Sequence, residues 1–219
     1  NDTARLAGAM LEMAYCYWRL DETDLAFQYI SRARANFDVV GDDDSVLEAD
    51  TSKAVWLHGV GRYEEAIALN RRLLSVGDAH TRYVARARLA DNQRCHEQLE
   101  EAAETLAHVE PGDAEIRGTA SWFWRESVRV AVLTALGRTD EAAEFALACL
   151  SGDISEASMV AQARFHEAVG RKHAEGSQQE LARNHWTRAV ALYLASGYHD
   201  AAVDLSKEFL VEDEKEAVQ

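Results

Sequence analysis

At 219 residues and 47% hydrophobic content, the chain can bury a continuous core, either as one large domain or as an array of small units. Its formal charge of −15 argues against nucleic acid, whose phosphates need a basic counter-surface, and against an anionic membrane. No apolar run approaches about eighteen residues, so nothing spans a bilayer, and no signal peptide is visible. Cys16, Cys95 and Cys149 are isolated and odd in number, as expected of small buried hydrophobes in a reducing, cytoplasmic compartment. The chain opens Asn-Asp-Thr without methionine, which reads as a trimmed piece with room for another domain before Asn1.

Helix signals come in pairs. The first pair is expected over 3–20 and 23–40. Ser45-Val-Leu-Glu48 reads as a capping box that opens the next helix, which closes near Gly59 or Gly61 and is followed by a partner running to about residue 76. The third pair is expected over 79–96 and 98–109, stopped by Pro111, and the fourth over 114–136 and 139–150. Asp153-Ile-Ser-Glu156 reads as the opening of the fifth pair, whose first helix runs to about 175. Ser177-Gln-Gln-Glu180 opens its partner, which ends near Gly197. A final helix, 198–212, fades into a charged tail, 213–219, suited to the polar end of an array.

The pairs repeat a pattern. Ala26, Ala66, Ala102, Ala142 and Ala182 lie 40, 36, 40 and 40 residues apart, each just inside the second helix of its pair. Gly41-Asp42, Gly77-Asp78, Gly112-Asp113 and Gly152-Asp153 punctuate the units. A fixed period of about this length is the mark of a helical solenoid, here with approximate repeats 3–41, 42–77, 78–112, 113–152 and 153–197 in a single repeat domain, 1–219. Alanine suits a crossing where two backbones approach. Glycine ends one helix, and aspartate caps or favourably charges the next. Glu64, Glu65, Glu100, Glu101, Asp140 and Glu141 fall in first turns, where the helix dipole favours them.

Gly61-Arg-Tyr63-Glu-Glu-Ala66, followed by Leu69 and Leu73-Leu74, resembles the second helix of the tetratricopeptide (TPR) repeat. Gly137-Arg-Thr-Asp-Glu-Ala142 repeats it, and Ala14, Tyr17, Ala26 and Ala33 match the first unit. The resemblance covers nearly the whole chain. It departs from the family in its longer period and in Gly-Asp junctions where a proline often ends the repeat. Long repeats of this kind look like those of multidomain bacterial regulators and sensors. The resemblance implies an all-α, right-handed superhelix of about five helical hairpins plus a C-terminal helix. It also implies a partner-binding inner surface lined by the first helix of each pair.

No motif for catalysis, a cofactor or a metal stands out: there is no His-Glu-x-x-His, no phosphate-cradling glycine loop and no nucleophile elbow. His166 and His173 lie seven apart, about two turns on one helix face, without a carboxylate or cysteine at matching spacing. Tyr15 and Trp18 share a face, turned either to the concave surface or to cover the N-terminal end. Trp122, Phe123 and Trp124 fall within one turn, with Trp124 the better candidate for the inner face. Arginines 82, 86, 88, 94, 125, 129, 164 and 171 concentrate on first helices. They suit an acidic or carboxylate-bearing peptide, or else ion pairs with glutamates of the array. In the repeat frame the groove candidates are Tyr15, Trp18, Arg19, His58, Asp91, Arg94, Trp124, Arg164 and Arg171.

The expected function is a non-catalytic protein- or peptide-binding module, the sensor or scaffold part of a larger bacterial regulator. Two readings stand beside it: a small-molecule sensor with an aromatic pocket, and a self-association module in which Tyr15 and Trp18 of a homodimer stack.

Overall fold

A computed structural model describes residues 2–110 and 113–207. Its helices are α1 Asp2–Arg19, α2 Thr23–Val40, α3 Asp43–Gly59, α4 Tyr63–Val76, α5 Ala79–Cys95, α6 Leu99–Ala107, α7 Ala120–Ala135, α8 Thr139–Leu150, α9 Met159–Glu175 and α10 Gln179–Ala195. A 3-10 turn covers Asp113–Ile116, and a further helical segment runs over 199–207. Among the described residues there is no strand. Pro111, Gly112, the expected end of the last helix and the tail 213–219 lie outside the described residues. The chain divides into two compact units, 1–96 and 97–219. In the first, α1 to α5 pack in succession; in the second, α6 to α10 do so, with α7 also against α9.

One local device recurs in both units. Asp21, Gly61, Glu97, Gly137, Ser177 and Gly197 all have left-handed backbones, with φ between 58° and 81°. At Gly61 the N–H donates to the His58 carbonyl (3.0 Å) and the next N–H, of Arg62, to that of Leu57 (2.9 Å). That is the Schellman closure of a helix end, and it recurs at Asp21, Gly137, Ser177 and Gly197. Five residues after each of these six stands a buried alanine: Ala26, Ala66, Ala102, Ala142 and Ala182 at 0% exposure, and Ala202 at 1%. Each alanine N–H donates to the N-cap carbonyl four residues back, closing the first turn of the new helix. The alanine spacing is therefore a turn and a crossing combined, and Ala202 is a sixth instance that the forty-residue period passes over.

The acidic first turns are as expected in α4, α6 and α8. Twice the device adds a bidentate ion pair, Arg62–Glu65 and Arg138–Glu141. Several expected boundaries move. Ser45 is not the cap of α3: Asp42, one turn earlier, accepts from the Ser45 N–H (3.1 Å) and from its hydroxyl (2.8 Å). Gly41 is left-handed, but Gly77 is extended (φ −73°, ψ 161°) and has another use. A Cβ there would lie 2.6 Å from the Thr81 methyl group, so glycine makes room for the start of α5. The α7 helix begins at Ala120, capped by Thr119, because the 3-10 turn and left-handed Gly118 come first. Asp153 accepts from the Ser155 N–H (2.9 Å) in a local turn. Ile154 and Ala157 then pack on the core, and Ser158 caps α9. Ser177 is the left-handed residue of its turn, not a cap, and α10 has no side-chain cap.

Candidate functional site

In the first unit the expected groove aromatics are packed against a neighbouring first helix. The Trp18 ring stacks on Trp56 of α3 (5.0 Å, 8°), above Gly59, whose Cβ position lies 3.5 Å from the indole. Tyr15 meets Trp56 edge-on (5.6 Å), and Phe27 of α2 completes the cluster. The Tyr15 hydroxyl shares a hydrogen bond with Ser52 (2.7 Å) and donates to Glu48 (3.3 Å). Burial pushes its pKa up. Arg19 is exposed and its side chain makes no hydrogen bond or ion pair among the described residues.

His58, Asp91 and Arg94 come together. The His58 ring nitrogen Nδ1 is 3.0 Å from the side-chain oxygen Oδ1 of Asn92, and the ring lies edge-on to Tyr63. Asp91, 1% exposed, accepts from Arg94 (2.9 Å), which also reaches the Cys95 sulfur (3.2 Å). Burial raises the Tyr63 pKa, with the Cys95 thiol adding to the effect. This network ties α3, α4 and α5 together and uses Arg94 internally. On α3, the carboxylate of Asp50 (3% exposed) is held at 3.2 Å by both Arg34 of α2 and Arg72 of α4.

Two open clefts lie among the described residues of this unit. One, of about 260 Å³, is lined by Asp44, Leu47, Glu48, Thr51, Ser52, Asp78 and Thr81. It lies on first helices only, α3 and the start of α5, and Tyr15 of α1 hydrogen-bonds two of its lining residues. Asp78 is held below the usual carboxylate range by the Thr81 N–H it caps, so its charge persists in acid. The other cleft, about 420 Å³, is lined by Asp24, Phe27, Gln28, Ser31, Lys53 and Arg62. The Lys53 ammonium donates to the Ser31 hydroxyl (3.0 Å), and Arg62 lies 4.9 Å over the Phe27 ring. No single residue type in the sequence marks these clefts, because each draws on several helices.

In the second unit the first-helix arginines serve the fold. Arg125, 6% exposed, donates to the Leu106 carbonyl (2.8 Å) and thus satisfies the end of α6. Arg129 pairs with Glu126 (2.8 Å), whose pKa burial nonetheless raises. Arg164 lies 5.1 Å over the Trp124 ring, joining two expected groove residues in a cation–π pair. Trp124 packs on the α9–α10 core, while Trp122 packs on the α7–α9 core. Arg171 pairs with Glu167 (3.1 Å), which also accepts from the Tyr193 hydroxyl (2.7 Å).

The histidines are arranged around a residue that the seven-residue spacing does not include. His185 of α10 lies between His166 and His173, with ring centroids 5.1 and 5.6 Å away. The Nδ1 atoms of His166 and His185 are 2.9 Å apart, so one ring donates and the other accepts. Burial, then the His185 and Arg188 charges, lower the His166 pKa to about 4. His173 turns to the Gln178 amide oxygen (2.6 Å). Among the described residues no group of three His, Cys, Asp or Glu side chains has metal-binding geometry.

These features define the class: an all-α protein with a TPR-like repeat fold. Among solved structures the chain is similar to one titled MamA RS-1 ArsTM double mutant, with a TM-score of 0.61 and 14% sequence identity. The match covers 90% of this chain and 97% of that one, and at this identity it speaks for the fold alone. No protein-family model and no curated protein matches the sequence. Among the described residues, no helix is long and apolar enough to cross a membrane.

Proposed function

We propose that the chain is a non-catalytic protein- or peptide-binding module, the sensor or scaffold part of a larger bacterial regulatory protein in the cytoplasm. The observation that carries this reading is the cleft on α3 and α5. It is open and formed from consecutive first helices, and it offers hydroxyls and carboxylates that can accept from a polypeptide's N–H groups and pair with its cationic side chains. The TPR-like fold and the long repeats resembling those of bacterial regulators support it. A single repeat array over 1–219 is part of the same reading.

A second reading, an acidic or carboxylate-bearing segment, rests on Lys53 and Arg62 beside Phe27 in the other cleft. A small-molecule sensor is less well supported, since the rings of Tyr15, Trp18 and Trp56 pack on one another. The test is retention of peptides from a displayed library by the wild type, Glu48→Lys and Lys53→Glu. Enrichment of one sequence class, lost in Glu48→Lys alone, supports the first-helix cleft. Loss in Lys53→Glu alone transfers the site to the second cleft. Enrichment of nothing, or of the same peptides by all three proteins, contradicts the reading.

A further inference from the structure

Helix α1 buries Ala7, Met10, Leu11 and Ala14 against its own unit. A second apolar stripe runs along a different face: Leu6, Ala9, Met13, Cys16 and Leu20, all exposed, with Leu6 at 51%, Met13 at 39% and Leu20 at 70%. Leu20 belongs to the stripe because its N–H still donates to the Cys16 carbonyl in helical fashion (3.1 Å). The steps are three, four, three and four residues, the spacing of a coiled-coil seam. Beside the stripe, seven residues apart, stand Glu12 and Arg19. Neither is hydrogen-bonded or ion-paired to a side chain among the described residues, whereas Arg34, Arg62, Arg72, Arg94, Arg129, Arg138 and Arg171 all pair with carboxylates of the chain. Arg5, on the same flank, is paired to Asp2.

We propose that this face of α1 docks on α1 of a second copy of the chain, antiparallel, to form a two-fold dimer. The charge pattern selects both occupant and register. When Met13 meets the second copy's Cys16 and Leu20 meets its Ala9, Glu12 falls beside the second copy's Arg19, and symmetry repeats each contact. Sliding one heptad sets Glu12 against Glu12 and Arg5 against Arg19, which repel. A parallel pair puts Glu12 beside Tyr17, with no cation. A face complementary to itself in one register is what an isologous interface requires, and covering the stripe removes apolar surface that water otherwise meets. The seam is distinct from Tyr15 and Trp18, which are engaged with Trp56 inside the unit.

The test is sedimentation velocity of the 219-residue chain up to about 100 μM. The expected result is a concentration-dependent dimer that becomes monomeric in Met13→Glu without loss of helical circular dichroism. The charge reversal Glu12→Arg weakens dimerisation about tenfold, and Glu12→Arg/Arg19→Glu restores it. Both charge variants are on exposed side chains and leave the core untouched. A monomer throughout overturns the proposal, whether the stripe is then covered by preceding chain or by another protein. So does a dimer indifferent to Met13→Glu, or a double reversal no better than the single one.

Discussion

The two units are built with the same turns and held by different polar chemistry. Six left-handed residues spread over both units, from Asp21 to Gly197, are each followed five residues later by a buried alanine, from Ala26 to Ala202. In the first unit one buried polar fixture is an ion-pair clamp, Asp50 between Arg34 and Arg72. In the second, buried Glu126 pairs with Arg125 and Arg129, and beside that stands buried His166 against His185, its pKa held low by burial. Backbone devices carry the architecture, while the buried polar groups set how each unit responds to its surroundings. A buried imidazole held neutral gives way as its proton is forced on in acid.

The largest expected effect separates the units by pH. An unfolded histidine gains its proton near pH 6.5, while folded His166 waits until about pH 4. Between those values the unfolded state binds more protons. The contribution is therefore complete above about pH 6.5 and is lost as pH falls toward 4, to a total of roughly 3 kcal/mol. His185, its pKa also lowered by burial, adds in the same direction. Urea denaturation of wild type and His166→Gln across this range checks it, with a shallower acid slope expected in the variant.

A smaller effect, confined to the first unit, is expected from Asp50→Ala. It leaves two arginines without their carboxylate, and with Arg72 partly in solvent the cost is about 2 kcal/mol. Its denaturation midpoint at neutral pH should fall accordingly. The smallest effect tests what the units share. Asp21→Gly and Ser177→Gly each relieve a side chain held at positive φ (61° and 58°), so each should raise stability by about 0.5–1 kcal/mol. A gain at one site only would break the equivalence of the turns.

Much of this was legible in the chain itself. Fully buried alanines at a regular interval and acidic first turns are consequences of local geometry, so Ala26, Ala66, Ala102, Ala142 and Ala182 mark their helices without knowledge of the packing. Boundaries were misread where two residues compete for one cap, as at Asp42 and Ser45, or where a loop is fastened by apolar contacts, as at Ile154 and Ala157. The polar groups were the least legible. The spacing of His166 and His173 says nothing of His185 on another helix, and Asp50 looks like any acidic residue until α2 and α4 bring arginines to it. The arginine-rich first helices left two readings open, an anion-binding lining or ion pairs within the array, and Arg94, Arg129 and Arg171 do pair with carboxylates of their own chain.

Hydrogen exchange read by peptide mass spectrometry at pH 7 and about pH 5, corrected for intrinsic rates, tests the contrast most directly. The account predicts that amides of α9 and α10 lose protection on acidification while those of α1 to α4 keep theirs. Equal loss in both units, or loss led by α1 to α4, would contradict it.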